Sequence, residues 1–64
     1  MEKVIDRVSQ AWDALKEAER LFECAASEAM TIGDTRRQKW AEMLWARTND
    51  TLADLMMKFP EVRA

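Results

Sequence analysis

Residue types that carry out catalysis are nearly absent from this 64-residue chain. It has no histidine, and general acid–base catalysis usually needs histidine or closely placed carboxylates with displaced pKa values. Its one cysteine, Cys24, follows Glu23, and only Arg20 lies at helical spacing as a cation that could activate the thiol. No glycine-rich loop could cradle a phosphate. The sequence therefore predicts a protein without catalytic residues, which is not an enzyme.

The same composition argues against a bound metal or cofactor. A lone thiol without histidine cannot build a zinc site, and one cysteine cannot form an internal disulfide. We therefore predict no metal, no cofactor and no cofactor-binding residues. A domain this short buries little surface and needs another source of stability. Self-association or a partner chain is the source that remains.

Composition and charge limit the class of protein further. Apolar residues make up 48% and charged residues 34%, which is too hydrophobic for a disordered chain. With one glycine and one proline, a β-rich fold has too few turns. A net charge of −2 gives no bulk attraction to nucleic acid or to an anionic membrane. No apolar run could span a bilayer, and the N-terminal residues lack a signal-peptide profile, so we expect a cytoplasmic protein.

The first helix is indicated by apolar residues that recur at steps of four and three, as they do in a helix with one buried seam. The seam comprises Val4, Val8, Ala11, Leu15, Ala18, Phe22, Ala25 and Ala29. One column of it is small (Ala11, Ala18 and Ala25) and the other is larger (Val8, Leu15 and Phe22). Such alternation lets two helices approach closely. Ile5, Trp12 and Leu21 are expected to lie beside the seam and widen it.

A short break and a second helix follow. Gly33 can close the first helix in the left-handed conformation, and Asp34 or Thr35 can cap the next one. The second seam comprises Ala41, Trp45, Thr48, Leu52, Leu55, Phe59 and Val62. Because Pro60 disfavours helical geometry at the residue before it, this helix should end near Phe59.

These elements predict an all-α fold, an antiparallel two-helix hairpin that forms one domain over residues 1–64. The first helix covers residues of about 3–30, the turn 31–35 and the second helix about 36–58. Residues 61–64 are expected to form a frayed tail.

Apolar surface in the second helix exceeds what a hairpin can bury. Trp40, Ala41, Met43, Leu44 and Trp45 cover more than half of its circumference. A second copy is the simplest cover and predicts a homodimeric four-helix bundle. Its dimer or core residues are then Val8, Ala11, Leu15, Ala18, Phe22, Ala25, Ala41, Trp45, Leu52 and Leu55. If some apolar residues stay exposed for a foreign protein, the candidates are Trp40, Met43, Met56 and Met57, since tryptophan and methionine favour binding surfaces.

The second helix begins with Arg36, Arg37 and Lys39, where the helix dipole disfavours positive charge. Two explanations are open. Glu28 can pair with these residues across the turn, or they form a basic patch for an acidic protein surface or for RNA. The second explanation adds Arg36 and Arg37 to the partner-binding candidates.

A family resemblance adds a specific expectation. The run from Ala14 to Ala25, followed by Trp40-Ala41-Glu42-Met43-Leu44, resembles short pseudomonad two-helix proteins of unassigned function. Its plan is similar to that of phage-encoded quorum-sensing anti-activators, which dimerise and bind LasR-type transcription regulators. The resemblance implies a small non-enzymatic inhibitor or anti-activator that binds a host protein of this kind.

Two alternatives remain open at this stage. One is a Rop-like RNA-binding hairpin dimer, in which basic residues would line one helix surface. Here Lys3, Arg7, Lys16 and Arg20 alternate with carboxylates, so nucleic-acid binding is not expected. The other is a purely structural oligomer.

Overall fold

A computed structural model describes residues 2–63 as two long helices and a short 3-10 helix. Helix α1 spans Glu2–Thr31, α2 spans Thr35–Lys58, and the 3-10 helix spans Pro60–Arg63. The two long helices pack side by side and form a rod of 48 × 16 × 14 Å. No strand occurs among the described residues, so the predicted all-helical hairpin is the observed architecture.

One compact turn reverses the chain. The Asp34 amide donates to the Ala29 carbonyl at 2.8 Å, and the Gly33 amide donates to the Met30 carbonyl at 3.1 Å. This pair of bonds is a Schellman closure, which needs a left-handed residue, and Gly33 has a φ of 78°. Asp34 also caps α2, because its side chain accepts a hydrogen bond from the Arg37 amide at 3.1 Å. Asp34 therefore helps to close α1 through its backbone amide and caps α2 through its side chain.

The contact between the helices buries few side chains. Within residues 2–63 the apolar side chains classed as buried are Ala29, Ala41 and Leu52, and Leu52 is 4% exposed. Half-buried residues of α1 extend this seam at steps of three and four: Ile5, Val8, Trp12, Leu15, Glu19, Phe22 and Ala26. From α2 the seam receives Thr48 and Leu55, followed by Phe59 and Val62. So thin a seam leaves most of each helix surface in solvent.

The small column of α1 is where sequence and structure differ. Val8, Leu15 and Phe22 lie in the seam, as predicted, but Ala11 and Ala25 are exposed and Ala18 is only half-buried. Ile5 and Trp12, predicted to lie beside the seam, take the place of the alanines. Their larger side chains bury more apolar area against α2 than alanine can. Trp45 is also less covered than predicted, at 36% exposed.

The end of α2 differs from expectation in one respect. The helix ends at Lys58, and the Phe59 amide donates to the Leu55 carbonyl at 2.8 Å. Residues 60–63 then form a 3-10 helix where a frayed tail over residues 61–64 was predicted, and Ala64 lies outside the described residues. Pro60 suits its first position, because proline needs no amide partner there. The Val62 amide donates to the Phe59 carbonyl at 3.1 Å, which brings Val62 back to the hairpin.

Candidate protein-interaction surface

A cluster of large apolar side chains lies exposed near the turn end of α2. Trp40 is 50% exposed, and Met43 and Leu44 are exposed to a similar degree. Together with Arg47 they line a surface depression of about 250 Å³. We call Trp40, Met43 and Leu44 the Trp40 patch. Three large apolar residues within five positions of one exposed helix form a contiguous surface of the kind that binds proteins.

Basic residues border this patch. The Arg36 guanidinium lies 5.0 Å from the centre of the Trp40 ring, in a cation–π contact that holds the indole in place. Arg37 turns the other way, and its Nε lies 3.4 Å from Oδ2 of the capping residue Asp34. The Asp34 carboxylate therefore offsets the unfavourable charge in the first turn of α2. Glu28, which could have paired across the turn, makes no ion pair among residues 2–63.

The other predicted partner-binding residues do not join this patch. Met56 lines a groove on the opposite side of the hairpin with Trp12, Leu52 and Ala53. Met57 is 80% exposed but lies 14 residues from Met43, about 21 Å along the helix. Of the six predicted residues, the structure therefore brings together Trp40, Met43 and Arg36.

The opposite side of the hairpin carries a polar cluster that the sequence did not predict. Asn49 of α2 donates a hydrogen bond of 2.6 Å to Oε2 of Glu19, and Lys16 donates one of 3.2 Å to Oε1. The Asn49 hydrogen bond, followed by that of Lys16, lowers the pKa of the Glu19 carboxyl. Both carboxylate oxygens are thus satisfied, and the side chain of Glu19 is only 14% exposed. In the sequence, the only indication of this cluster is that Glu19 lies four residues after Leu15 and three before Phe22, which is the spacing of the seam.

Further along α1, Arg20 pairs with Glu17. The hydrogen bond from Arg20 lowers the pKa of the Glu17 carboxyl, and the same contact raises the pKa of the Arg20 guanidinium. Two of the four basic residues of α1, Lys16 and Arg20, are therefore paired with carboxylates of the same helix. This pairing reduces the positive charge that α1 could offer to a phosphate backbone.

Cys24 lies exposed on α1, next to a shallow polar surface that includes Arg20 and Glu23. Among residues 2–63, no group of three or more histidine, cysteine, aspartate or glutamate side chains is placed to hold a metal ion. Neither long helix of this part of the chain has an apolar stretch that could cross a bilayer. The chain matches no protein-family model, no curated protein and no solved structure.

Proposed function

We propose that this chain is a non-enzymatic, homodimeric interaction protein that inhibits a host protein by binding it through the Trp40 patch. The exposed Trp40 patch is the observation that carries the proposal. Its apolar centre and the neighbouring Arg36 suit an apolar knob with an acidic residue beside it. In such a complex the tryptophan would supply much of the binding energy.

The homodimer follows from how little the hairpin buries alone. A folded monomer of this length normally needs a disulfide, a metal or a partner to be stable. Within residues 2–63 no apolar side chain is completely buried, and ten large ones are at least 36% exposed. A second copy would convert part of that surface into a shared core and give a four-helix bundle.

The family resemblance supplies the first target to test, a LasR-type quorum-sensing regulator in the cytoplasm of a host bacterium. An anti-activator of this kind would bind the regulator and prevent it from activating transcription. An RNA-binding dimer is the competing function. It is disfavoured by the net charge of −2 and by the pairing of Lys16 and Arg20 with carboxylates.

A double variant, Trp40→Gln with Met43→Gln, tests the role of the Trp40 patch. We expect its helicity, dimer mass and melting temperature to remain close to those of the parent chain, because both side chains are half-exposed. Binding to a purified LasR-type regulator should weaken by about 30-fold or more, the equivalent of about 2 kcal/mol for a central tryptophan. Transcription from a promoter activated by that regulator, repressed by the parent chain, should recover.

Met57→Gln is the matched control, because it removes an exposed methionine outside the patch. It should bind and repress like the parent. If the double variant unfolds or dissociates into monomers, the Trp40 patch is dimer core and the proposal is wrong. If parent binding to RNA weakens steeply as salt rises while no regulator binds, the RNA-binding function replaces it.

A further inference from the structure

One side of helix α1 is apolar along most of its length. Ala11 of α1 and Thr51 of α2 line the same groove, which fixes that they lie on one side. Residues at seven-residue steps from them remain on that side, as does Leu21, three residues after Ala18. We call this surface the apolar face: Val4, Ala11, Ala18, Leu21 and Ala25. Leu21 is 51% exposed, and Val4 is also exposed.

The total exposed area of the chain is larger than a compact monomer would have. The chain exposes 5046 Å², whereas a compact monomer of 7.5 kDa is expected to expose about 4,200 Å². The excess of about 800 Å² is what each partner contributes to a protein–protein interface of standard size. The excess of the whole chain is therefore large enough for a second copy with the same excess to cover.

Charges at the edge of the face indicate the orientation of that copy. Arg7 and Glu28 lie on the same side of α1 as Leu21, at multiples of seven residues from it. They are 21 residues apart, so about 31 Å separates them within one helix. In an antiparallel pair of α1 helices, Arg7 of each copy lies opposite Glu28 of the other when the two-fold axis passes beside Ala18. The same axis sets Ala11 opposite Ala25 and Val4 opposite Ile32.

Helix α2 gives an independent indication of the same axis. The hydrogen bond between Glu19 and Asn49 sets the register of the hairpin and places Ala18 level with about Asp50. Arg47 and Asp54 lie on the side of α2 that faces this way and are spaced evenly about that level. Seven residues separate them, about 10 Å, so they cannot pair within one helix. Neither makes an ion pair within residues 2–63.

We propose that the apolar face binds the apolar face of a second copy in antiparallel orientation, about a two-fold axis beside Ala18 and Asp50. Arg7 then pairs with Glu28 of the second copy, and Arg47 pairs with Asp54 of the second copy. This inference rests on the homodimer of the proposed function and specifies its geometry. Self-complementarity of this kind is what a two-fold interface requires.

The geometry also explains how one chain could bind itself and a foreign protein. About the same axis, Trp40 lies level with residue 61 of the second copy, beyond the end of that copy's α2 at Lys58. The first two turns of each α2 therefore extend past the partner's α2 and lie level with its 3-10 helix, Pro60–Arg63. Each end of the dimer would present one Trp40, with Arg36 over its ring, beside the partner's short 3-10 helix rather than between the two α2 helices.

A cysteine on the proposed axis tests the face directly. In a Cys24→Ser background, Ala18→Cys should form an intermolecular disulfide on mild oxidation, because equivalent residues on a two-fold axis approach within disulfide range. Glu17→Cys, one residue away on the outer side of α1, is the control and should remain a non-covalent chain. An Ala11→Cys chain should cross-link with an Ala25→Cys chain when the two are mixed, but with neither alone.

Charge reversal tests the orientation. Arg7→Glu should raise the dissociation constant of the dimer about tenfold, since two exposed pairs become repulsive. Adding Glu28→Arg should restore the dissociation constant to within about twofold of the parent. Rescue cannot arise within one chain, given the 31 Å between the two positions.

The outcomes separate this geometry from the proposed function. A dimer by light scattering whose Ala18→Cys variant fails to cross-link would overturn the apolar face as the interface and leave the homodimer intact. Failure of Glu28→Arg to rescue Arg7→Glu would overturn the antiparallel orientation. A monomer at all concentrations would overturn both, and a monomer that binds a foreign protein through Leu21 would assign the face to that protein.

Discussion

The two sides of this hairpin cover the same seam in different ways. On one side Lys16, Glu19 and Asn49 span the helix boundary with hydrogen bonds, and both Glu19 oxygens have partners. On the other side the apolar side chains of Ala11, Leu21 and Leu44 are exposed. The polar side chains of the first side are stable in contact with water, whereas removing the apolar side chains of the second side from water lowers the free energy. A hairpin with one narrow seam can therefore keep a hydrogen-bonded side in solvent and, in the proposed dimer, pack its apolar side against a second copy.

The largest effect should come from the seam that both sides share. Leu52→Ala removes the most buried large side chain among residues 2–63 and should cost about 2–5 kcal/mol of unfolding free energy. Leu21→Ala is the matched truncation on the apolar face, where the side chain is half-exposed. Its cost should be smaller and should depend on protein concentration. Chemical denaturation of both variants at two concentrations measures this difference, and equal, concentration-independent losses would contradict it.

A medium effect is expected on the apolar face. Ala18→Leu enlarges a residue at the proposed two-fold axis, where the two α1 helices approach most closely. Overpacking should cost about 1–3 kcal/mol of dimer stability, which analytical ultracentrifugation can measure as a higher dissociation constant. Ala46→Leu makes the same change at an exposed position of α2 and should leave the dimer unaffected. An unchanged dissociation constant for Ala18→Leu would place the close approach elsewhere.

The smallest effect belongs to the polar side. Asn49→Ala removes the main cause of the lowered pKa of Glu19, so that pKa should rise toward its ordinary value in an NMR titration. Because the folded-state pKa of Glu19 lies below the unfolded-state pKa, the stabilisation is present above the unfolded-state pKa and is lost as pH falls through the folded-state pKa. The parent should therefore melt slightly higher than Asn49→Ala at pH 7 and at the same temperature in strong acid.

Gln10→Ala, which removes a surface amide that accepts from Arg7, is the control for this titration. It should leave the pKa of Glu19 unchanged. A Glu19 that titrates identically in the parent and in Asn49→Ala would show that the bridge does not persist in solution.

Sequence periodicity predicted the two helices, their antiparallel turn and the larger column of α1, but it could not choose between two overlapping seams. Val8, Leu15 and Phe22 belong to both. The alternating positions between them are alanines in one seam and Ile5, Trp12, Glu19 and Ala26 in the other. The second seam contains a charged residue, Glu19, which the apolar period does not predict. Only the fold brings Asn49 to that carboxylate across 30 residues and gives the charge a partner within the seam.

The candidate surface was predicted in part for a related reason. Trp40 and Met43 are close in sequence and lie on one side of α2, so composition alone could group them. Met56 and Met57 are adjacent in sequence, yet consecutive helical residues point about 100° apart. Met56 therefore lines the groove beside Trp12, whereas Met57 projects into solvent. Residue type suggested all four, and helix geometry separated them.

The conformation of Gly33 affects whether α2 packs on the α1 of its own chain or on the α1 of a second copy. An added side chain would meet no atom within 4 Å, so space does not exclude other residues there, and only the φ of 78° does. In Gly33→Ala the backbone favours right-handed geometry, which would continue α1 into α2 as one straight helix. Such a chain could bury Leu52 only by exchanging α2 with another copy, which is domain swapping.

Cysteines at Glu19 and Asn49, whose side chains contact each other across the two helices, report this exchange in a Cys24→Ser background. Their disulfide should close within one chain when Gly33 is present and should link two chains when Gly33→Ala is added. Disulfides that stay within single chains in both would show that the turn tolerates alanine. If the link between two chains forms, the sign of φ at residue 33 determines whether each α2 packs on the α1 of its own chain or on the α1 of another copy.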